Sequence, residues 1–193
     1  MTDAPLTPER ILDTAEDVLR RFGPGKATVV DVARALGVSH GSVYRHFASK
    51  ASLRDAVVER WLGRVSGPLE AFVVADGPAL DRLRGWVDAL VEAKRQKVRG
   101  DPELFMTYHA LAVDAREVIV AHVDRLADQV RRILVDGVAA GELAVDDPST
   151  SARAVLDATA RFHNPAFAAE WADPGIDAEL DGVWAIVIRG LRA

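Results

Sequence analysis

Residues 28–47 read TVVDVARALGVSHGSVYRHF, and this stretch decides the fold. Thr28 is a favoured helix N-cap, and Asp31 follows at capping-box spacing. Val29, Val32, Ala33 and Leu36 then recur at i, i+3, i+4 and i+7, which is one face of a short helix. Gly37 falls where a left-handed residue ends such a helix, and Ser39 caps the next. Val43 and Phe47, four residues apart, share a face that can turn to the core. Ala33 is small enough to let two helices cross closely. Two short helices around a three- to four-residue turn containing glycine are the signature of a helix-turn-helix.

The opposite face of the second helix carries His40, Gly41, Ser42, Tyr44, Arg45 and His46. These offer hydrogen-bond donors of several lengths on one small helix, suited to lying against a phosphate backbone. Glycine inside a helix costs about 1 kcal/mol relative to alanine, so Gly41 points to close approach by another body. The competing reading is the solvated polar face of an ordinary surface helix.

The neighbours favour the first reading. A helix is expected over residues 8–22, capped by Thr7 and opened by Pro8, with Ile11, Leu12, Ala15, Val18, Leu19 and Phe22 as its apolar stripe. Gly23-Pro24-Gly25 ends it. Ser49-Lys50-Ala51-Ser52-Leu53 opens a longer helix. Charge gathers here although the chain is acidic. Residues 20–54 hold Arg20, Arg21, Lys26, Arg34, Arg45, Lys50 and Arg54 against Asp31 alone, a local balance of +6 in a chain of net charge −5. A basic patch on an acidic protein is an electrostatic footprint for nucleic acid.

These residues resemble the DNA-binding domain of TetR-type transcriptional regulators. The matching run is PERILDTAEDVLRRFG…ATVVDVARALGVSHGSVYRHFASKASLRDAV, carried by Phe22-Gly23, Thr28, the spacing from Val32-Ala33 to Gly37-Val38-Ser39, Val43-Tyr44-Arg45-His46-Phe47, and Ser49-Lys50 followed by Leu53. Two departures are small: the Gly23-Pro24-Gly25-Lys26 loop is stiffer than usual, and Val29 replaces a residue that is often polar. The resemblance implies an all-α homodimer that binds a palindromic double-stranded DNA operator, usually as a repressor, and lets go when a small-molecule effector binds the C-terminal domain. It also implies residue roles. Thr28 and Lys50 would meet phosphate from helix N-termini, as would Tyr44 and His46. Ser39, His40, Gly41, Ser42 and Arg45 would approach base edges. Arg45 is the expected direct reader, since a guanidinium pairs well with guanine. The alternative from another class is a helical ligand-binding or protein-interaction module without DNA binding.

The 193-residue length allows one large or two small domains, and 49% apolar content is ample for a core. The expected organisation is a three-helix DNA-binding domain over residues 1–50 and a helical bundle for ligand binding and dimerisation over residues 51–193. Cysteine is absent, which rules out disulfides and thiolate metal sites. The N-terminus lacks a signal-peptide core and no apolar run is long enough to span a membrane, so a cytoplasmic protein without membrane contact is expected.

The pattern stays helical after residue 50. Helices are expected over residues 50–74, with a break or kink at Gly67-Pro68; after Asp76-Gly77-Pro78; after Asp101-Pro102; over residues 114–140; after Asp147-Pro148 through Phe162; and over residues 177–191. The resemblance assigns the last two to the homodimer interface. Two heads about 34–36 Å apart would meet successive major grooves.

Aromatic and histidine residues crowd the middle helices. Trp86, Phe105, His109, His122, Phe162 and His163 are candidates for an effector cavity, which in the resembled family lies in this region. The plainer alternative is that the aromatics form core and the histidines are satisfied or exposed. Pro165 should break the helix before it and leave backbone carbonyls available. The histidines match no HExxH or Glu-x-x-His pattern, and neither a phosphate-binding loop nor a nucleophile elbow occurs. The sequence therefore argues against an enzyme and calls for no metal and no cofactor.

Overall fold

The computed structural model describes residues 5–192. They form α1 (Pro8–Phe22), α2 (Val29–Leu36), α3 (His40–Tyr44), α4 (Lys50–Val74), α5 (Ala79–Gly100), α6 (Pro102–Asp114), α7 (Arg116–Ala139), α8 (Pro148–Ala158), α9 (Ala160–His163), a 3-10 segment (Pro165–Glu170) and α10 (Ile176–Leu191). Among the described residues the only extended pairing is an isolated bridge between Leu143 and Arg192. The fold is all-α, as the sequence implies.

The chain divides into two compact units: Met1–Leu62 with Asp101–Val120, and Gly63–Gly100 with Ala121–Ala193. The boundary expected between residues 50 and 51 falls in the first turn of α4, which continues without interruption. Composition does not reveal the later division, because α6 returns to pack on α1 from far along the chain.

In the first unit, the Thr7 hydroxyl accepts the Arg10 N–H at 3.3 Å and opens α1. Ile11, Ala15, Val18 and Leu19 are buried along it. Phe22 departs from the expected stripe: it is 43% exposed, with the Arg21 guanidinium 5.2 Å from its ring centroid. It is the last helical residue before Gly23 turns the chain at φ 73°. The α2 capping box is complete, and Gly37 ends the helix in the left-handed conformation at φ 70°. α2 packs on both α1 and α3. Below them, Trp61 of α4 stacks on Tyr108 of α6 at 4.7 Å and meets Phe105 edge-on at 6.1 Å. Arg60 adds ion pairs to Glu16 at 2.6 Å and Asp13 at 2.8 Å.

The second unit has its own core. Leu83, Trp86, Val87 and Leu90 of α5 join Val130, Ile133 and Leu134 of α7, with Val155 and Leu156 of α8 and Leu180 and Trp184 of α10. α4 corrects the expected break at Gly67-Pro68, since it runs through Pro68 as one helix. Pro68 is exposed, so the amide that proline lacks is missing from the solvent side of α4 rather than from the core. The helix after Asp147 is shorter than expected. It ends at Ala158, where buried Thr159 turns its hydroxyl back to the Val155 carbonyl at 2.8 Å. α9 follows, and Pro165 then breaks the helix as expected. The Arg161 carbonyl beyond α8 accepts the Trp171 indole N–H at 2.9 Å.

Candidate nucleic-acid interface

α3 is a five-residue helix whose place is set by one buried side chain. Val43 is fully buried, whereas His40, Gly41, Tyr44, Arg45 and His46 are exposed. Ser39 opens the helix by accepting the Ser42 N–H at 3.2 Å. Its hydroxyl also lies 2.9 Å from that of Ser42, and Ser42 in turn receives Arg45 Nη2 at 3.1 Å. The His40 and Tyr44 rings meet edge to face at 6.3 Å. Each polar side chain that could touch DNA is thus outward, and several are held in place by a neighbour.

Gly41 is not required by the fold. A Cβ there would meet only the Ser39 hydroxyl, at 3.8 Å, which is ordinary contact. The space in front of it is open, as it must be for a helix that approaches another backbone.

Thr28 and Lys50 sit at the starts of α2 and α4. The Thr28 hydroxyl donates to Asp31 Oδ2 at 2.6 Å and accepts the Asp31 N–H at 3.2 Å. That hydroxyl bond, with a backbone bond from Thr28 and the nearby Arg34 charge, holds the Asp31 carboxyl below its ordinary range. Ser49 and Ser52 cap α4 reciprocally: the Ser49 N–H donates to the Ser52 hydroxyl at 2.9 Å, and the Ser52 N–H to the Ser49 hydroxyl at 3.0 Å. Lys50 follows that cap and is exposed. Thr28 and Lys50 also help line a cleft of about 430 Å³ in this unit, whose walls include Val18, Leu19, Val29 and Val57. Periodicity and spacing do not signal this cleft, since it forms between residues distant along the chain.

The basic patch is smaller than its residue count suggests. Arg20 pairs with Asp17 at 3.0 Å, Arg34 with Asp31 at 2.9 Å, and Arg54 with Asp55 at 2.8 Å. Arg45 and Lys50 have no carboxylate within pairing distance among the described residues. The exposed pairs are individually weak, and a phosphate could displace them.

The six effector candidates are not gathered in one unit. Phe105 and His109 lie on α6 in the first; Trp86, His122, Phe162 and His163 lie in the second. Trp86 and Phe162 belong to its apolar core. The Trp86 indole N–H donates to Gln129 Oε1 at 3.1 Å, and Gln129 Nε2 donates to the Ser66 carbonyl at 3.0 Å. Trp86 is therefore anchored by a buried polar chain absent from the sequence reading. Lys94, nearly fully buried on α5, was also missed. Its position after Val87, Leu90 and Val91 continues the apolar stripe and was the available signal.

Residues 11–57 match the family "Bacterial regulatory proteins, tetR family", and residues 79–184 match "Tetracyclin repressor-like, C-terminal domain". This chain belongs to the TetR family. An HTH-type transcriptional repressor of Mycobacterium tuberculosis is 30% identical to this TetR-family chain over 152 residues, covering 77% of the chain and 75% of the relative. The HTH-type transcriptional regulator SrpR of Pseudomonas putida is 29% identical over 149 residues, covering 75% and 67%. SmeT, the repressor of the Stenotrophomonas maltophilia multidrug efflux pump SmeDEF, shares the TetR fold at a TM-score of 0.69 and 21% identity, covering 99% of this chain and 93% of its own. The exposed row on α3 thus belongs to the helix-turn-helix of a DNA-binding transcriptional regulator. No helix among the described residues is long and apolar enough to cross a membrane.

Proposed function

We propose that this chain is a repressor that binds a palindromic operator as a homodimer and is released by a small-molecule effector. The outward row on α3, prepared by the Ser39–Ser42–Arg45 hydrogen bonds, is the observation that carries the reading. Arg45 reads a base, with Ser39, His40, Gly41 and Ser42 beside it in the major groove. Thr28, Tyr44, His46 and Lys50 hold phosphates and set register. The homodimer forms through α8 and α10. Support comes from the exposed face of α10, where Gly182, Ala185 and Ile186 leave room for close helix packing and Ile186 is 71% exposed. SmeT has been solved in complex with triclosan, which supports a small molecule as effector in a fold of this kind. No catalytic activity is part of this reading.

Selection on random duplexes tests it. A palindrome should emerge, bound with steeply salt-dependent affinity. If no motif is recovered and no shift occurs at low salt, the chain is a ligand-binding or interaction module instead.

A further inference from the structure

The cleft beside Thr28 and Lys50 is bounded by four helices of the first unit. Its buried walls include Val18 and Leu19 of α1, Val29 of α2, Val57 of α4 and Leu111 of α6. Protein interiors are ordinarily filled to the density of organic crystals. Here about 430 Å³ stays open, within the range of about 300–1,000 Å³ in which small-molecule sites fall. Apolar walls favour an apolar body that takes the place of water against them.

The mouth adds charge. Thr28, Lys50, Ala51 and Asp114 are its exposed members, with Arg54 half-buried beside them. Most of these polar groups are already engaged. The Thr28 hydroxyl donates its proton to Asp31 Oδ2. Arg54 donates from Nε to Asp55 Oδ1 at 2.9 Å and from Nη2 to the Asp114 carbonyl at 3.0 Å. Its Nη1 also lies 3.6 Å from the Asp114 carboxylate, so Asp114 has a counter-charge. The Lys50 ammonium has no carboxylate within pairing distance among the described residues.

We propose that this cleft binds a small amphiphilic organic anion, a carboxylate or sulfonate on a compact apolar body. The body covers the walls and the anionic head meets Lys50. A bare inorganic anion would leave the walls wet, and an amphiphilic cation would meet Lys50 as a like charge. The cleft lies wholly within the first unit, so it is separate from any effector cavity in the second. Lys50 is also proposed to hold phosphate, and an anion seated on its ammonium excludes a phosphate from it. Occupation of the cleft therefore competes with the operator. That competition rests on the operator reading above, whereas the site itself does not.

The test uses the full chain with isotope-labelled valine and leucine methyl groups, titrated with octanoate, octylammonium and acetate. Octanoate should shift the Val29, Val57 and Leu111 methyl signals saturably, whatever happens at Leu83 and Val87 in the second core. Octylammonium, with the same body and opposite charge, should bind the cleft about fivefold more weakly or less. Acetate, with the head and no body, should leave these methyls unmoved. Lys50→Gln should weaken octanoate about two- to fivefold, the size of one exposed ion pair. Ala51→Phe narrows the mouth from an exposed helical position and should weaken octanoate about tenfold by obstruction. The proposal is overturned if octanoate leaves the three head methyls unmoved, if acetate or octylammonium moves them at equal concentration, or if both variants bind octanoate as tightly as the parent. Repeating the titration with the selected operator duplex separates the two readings. Weaker octanoate binding supports the shared Lys50 contact; equal binding keeps the site and rejects Lys50 as a phosphate contact.

Discussion

Arg45 donates from Nη2 to the Ser42 hydroxyl 3.1 Å away, one helical turn earlier. The contact tethers an exposed guanidinium before DNA arrives and so lowers the entropy lost on ordering it. Lys50 carries a flexible point charge at a helix start, so the two should fail differently. Arg45→Ala should cost about 1–3 kcal/mol of discrimination at one operator position. Lys50→Ala should weaken all sequences alike and lower the salt slope by about 1. Equal effects of both across single-base operator variants would reject the assignment.

The two buried imidazoles make stability depend on pH. Both titrate below their ordinary value of 6.5, His122 at about 3 and His163 at about 4. As pH falls below 6.5, the unfolded chain binds protons that the folded chain refuses. Stability should therefore decline with falling pH, by up to about 1.4 kcal/mol per pH unit for each ring. Above that range both states are neutral and the dependence vanishes. Urea unfolding of His122→Leu at pH 7, 6 and 5 should show a flatter profile than the parent.

Arg60 closes the first unit by holding Glu16, whose side chain is only 10% exposed. Arg60→Met should destabilise by about 2 kcal/mol, because a largely desolvated carboxylate loses its guanidinium. Adding Glu16→Gln should recover part of the loss, and a double-mutant cycle in urea measures the coupling. Strict additivity of the two changes would show that the pair contributes nothing.

Two helix substitutions should move stability in opposite directions. Pro68→Ala restores an amide inside α4 on its exposed side and should stabilise by about 1–3 kcal/mol. Gly137→Ala also favours helix, but its Cβ would lie 2.5 Å from Leu143 Cδ1 and 2.7 Å from Ala79 Cβ. Overpacking there should cost about 1–3 kcal/mol. Thermal unfolding distinguishes the two, and the same sign for both would contradict the packing around α7.

Ile186→Glu places a charge on the exposed face of α10. Light scattering should show a monomer where the parent is a dimer, with operator affinity reduced accordingly. A dimer that survives the change would move the interface elsewhere.

The head was legible because its signals are local. Thr7, Thr28, Gly37 and Ser39 mark helix ends through bonds three or four residues long, and all four stand where their spacing implies. Pro68 misled because proline breaks a helix only when nothing replaces the lost bond, and its exposure depends on tertiary packing. The end of α8 at Thr159 was invisible for a similar reason: a threonine inside an apolar run signals nothing until its hydroxyl is seen to fold back. The basic patch was overcounted because Asp17 and Asp55 pair with Arg20 and Arg54 from just outside residues 20–54, and Asp114 meets Arg54 at 3.6 Å from far along the chain. The burial of Lys94 was hard to read because lysine ordinarily marks a solvated face, and only its place on the stripe of Val87, Leu90 and Val91 signals otherwise.

Because Val43 is the one buried side chain of α3 while its neighbours face outward, the residues proposed to read DNA are nearly uncoupled from folding. Substitutions at positions 40, 41, 44, 45 and 46 leave the core untouched, and even a methyl at position 41 finds room. A lineage carrying this head can therefore drift from one operator to another through single changes, each leaving a stable protein on which selection can act.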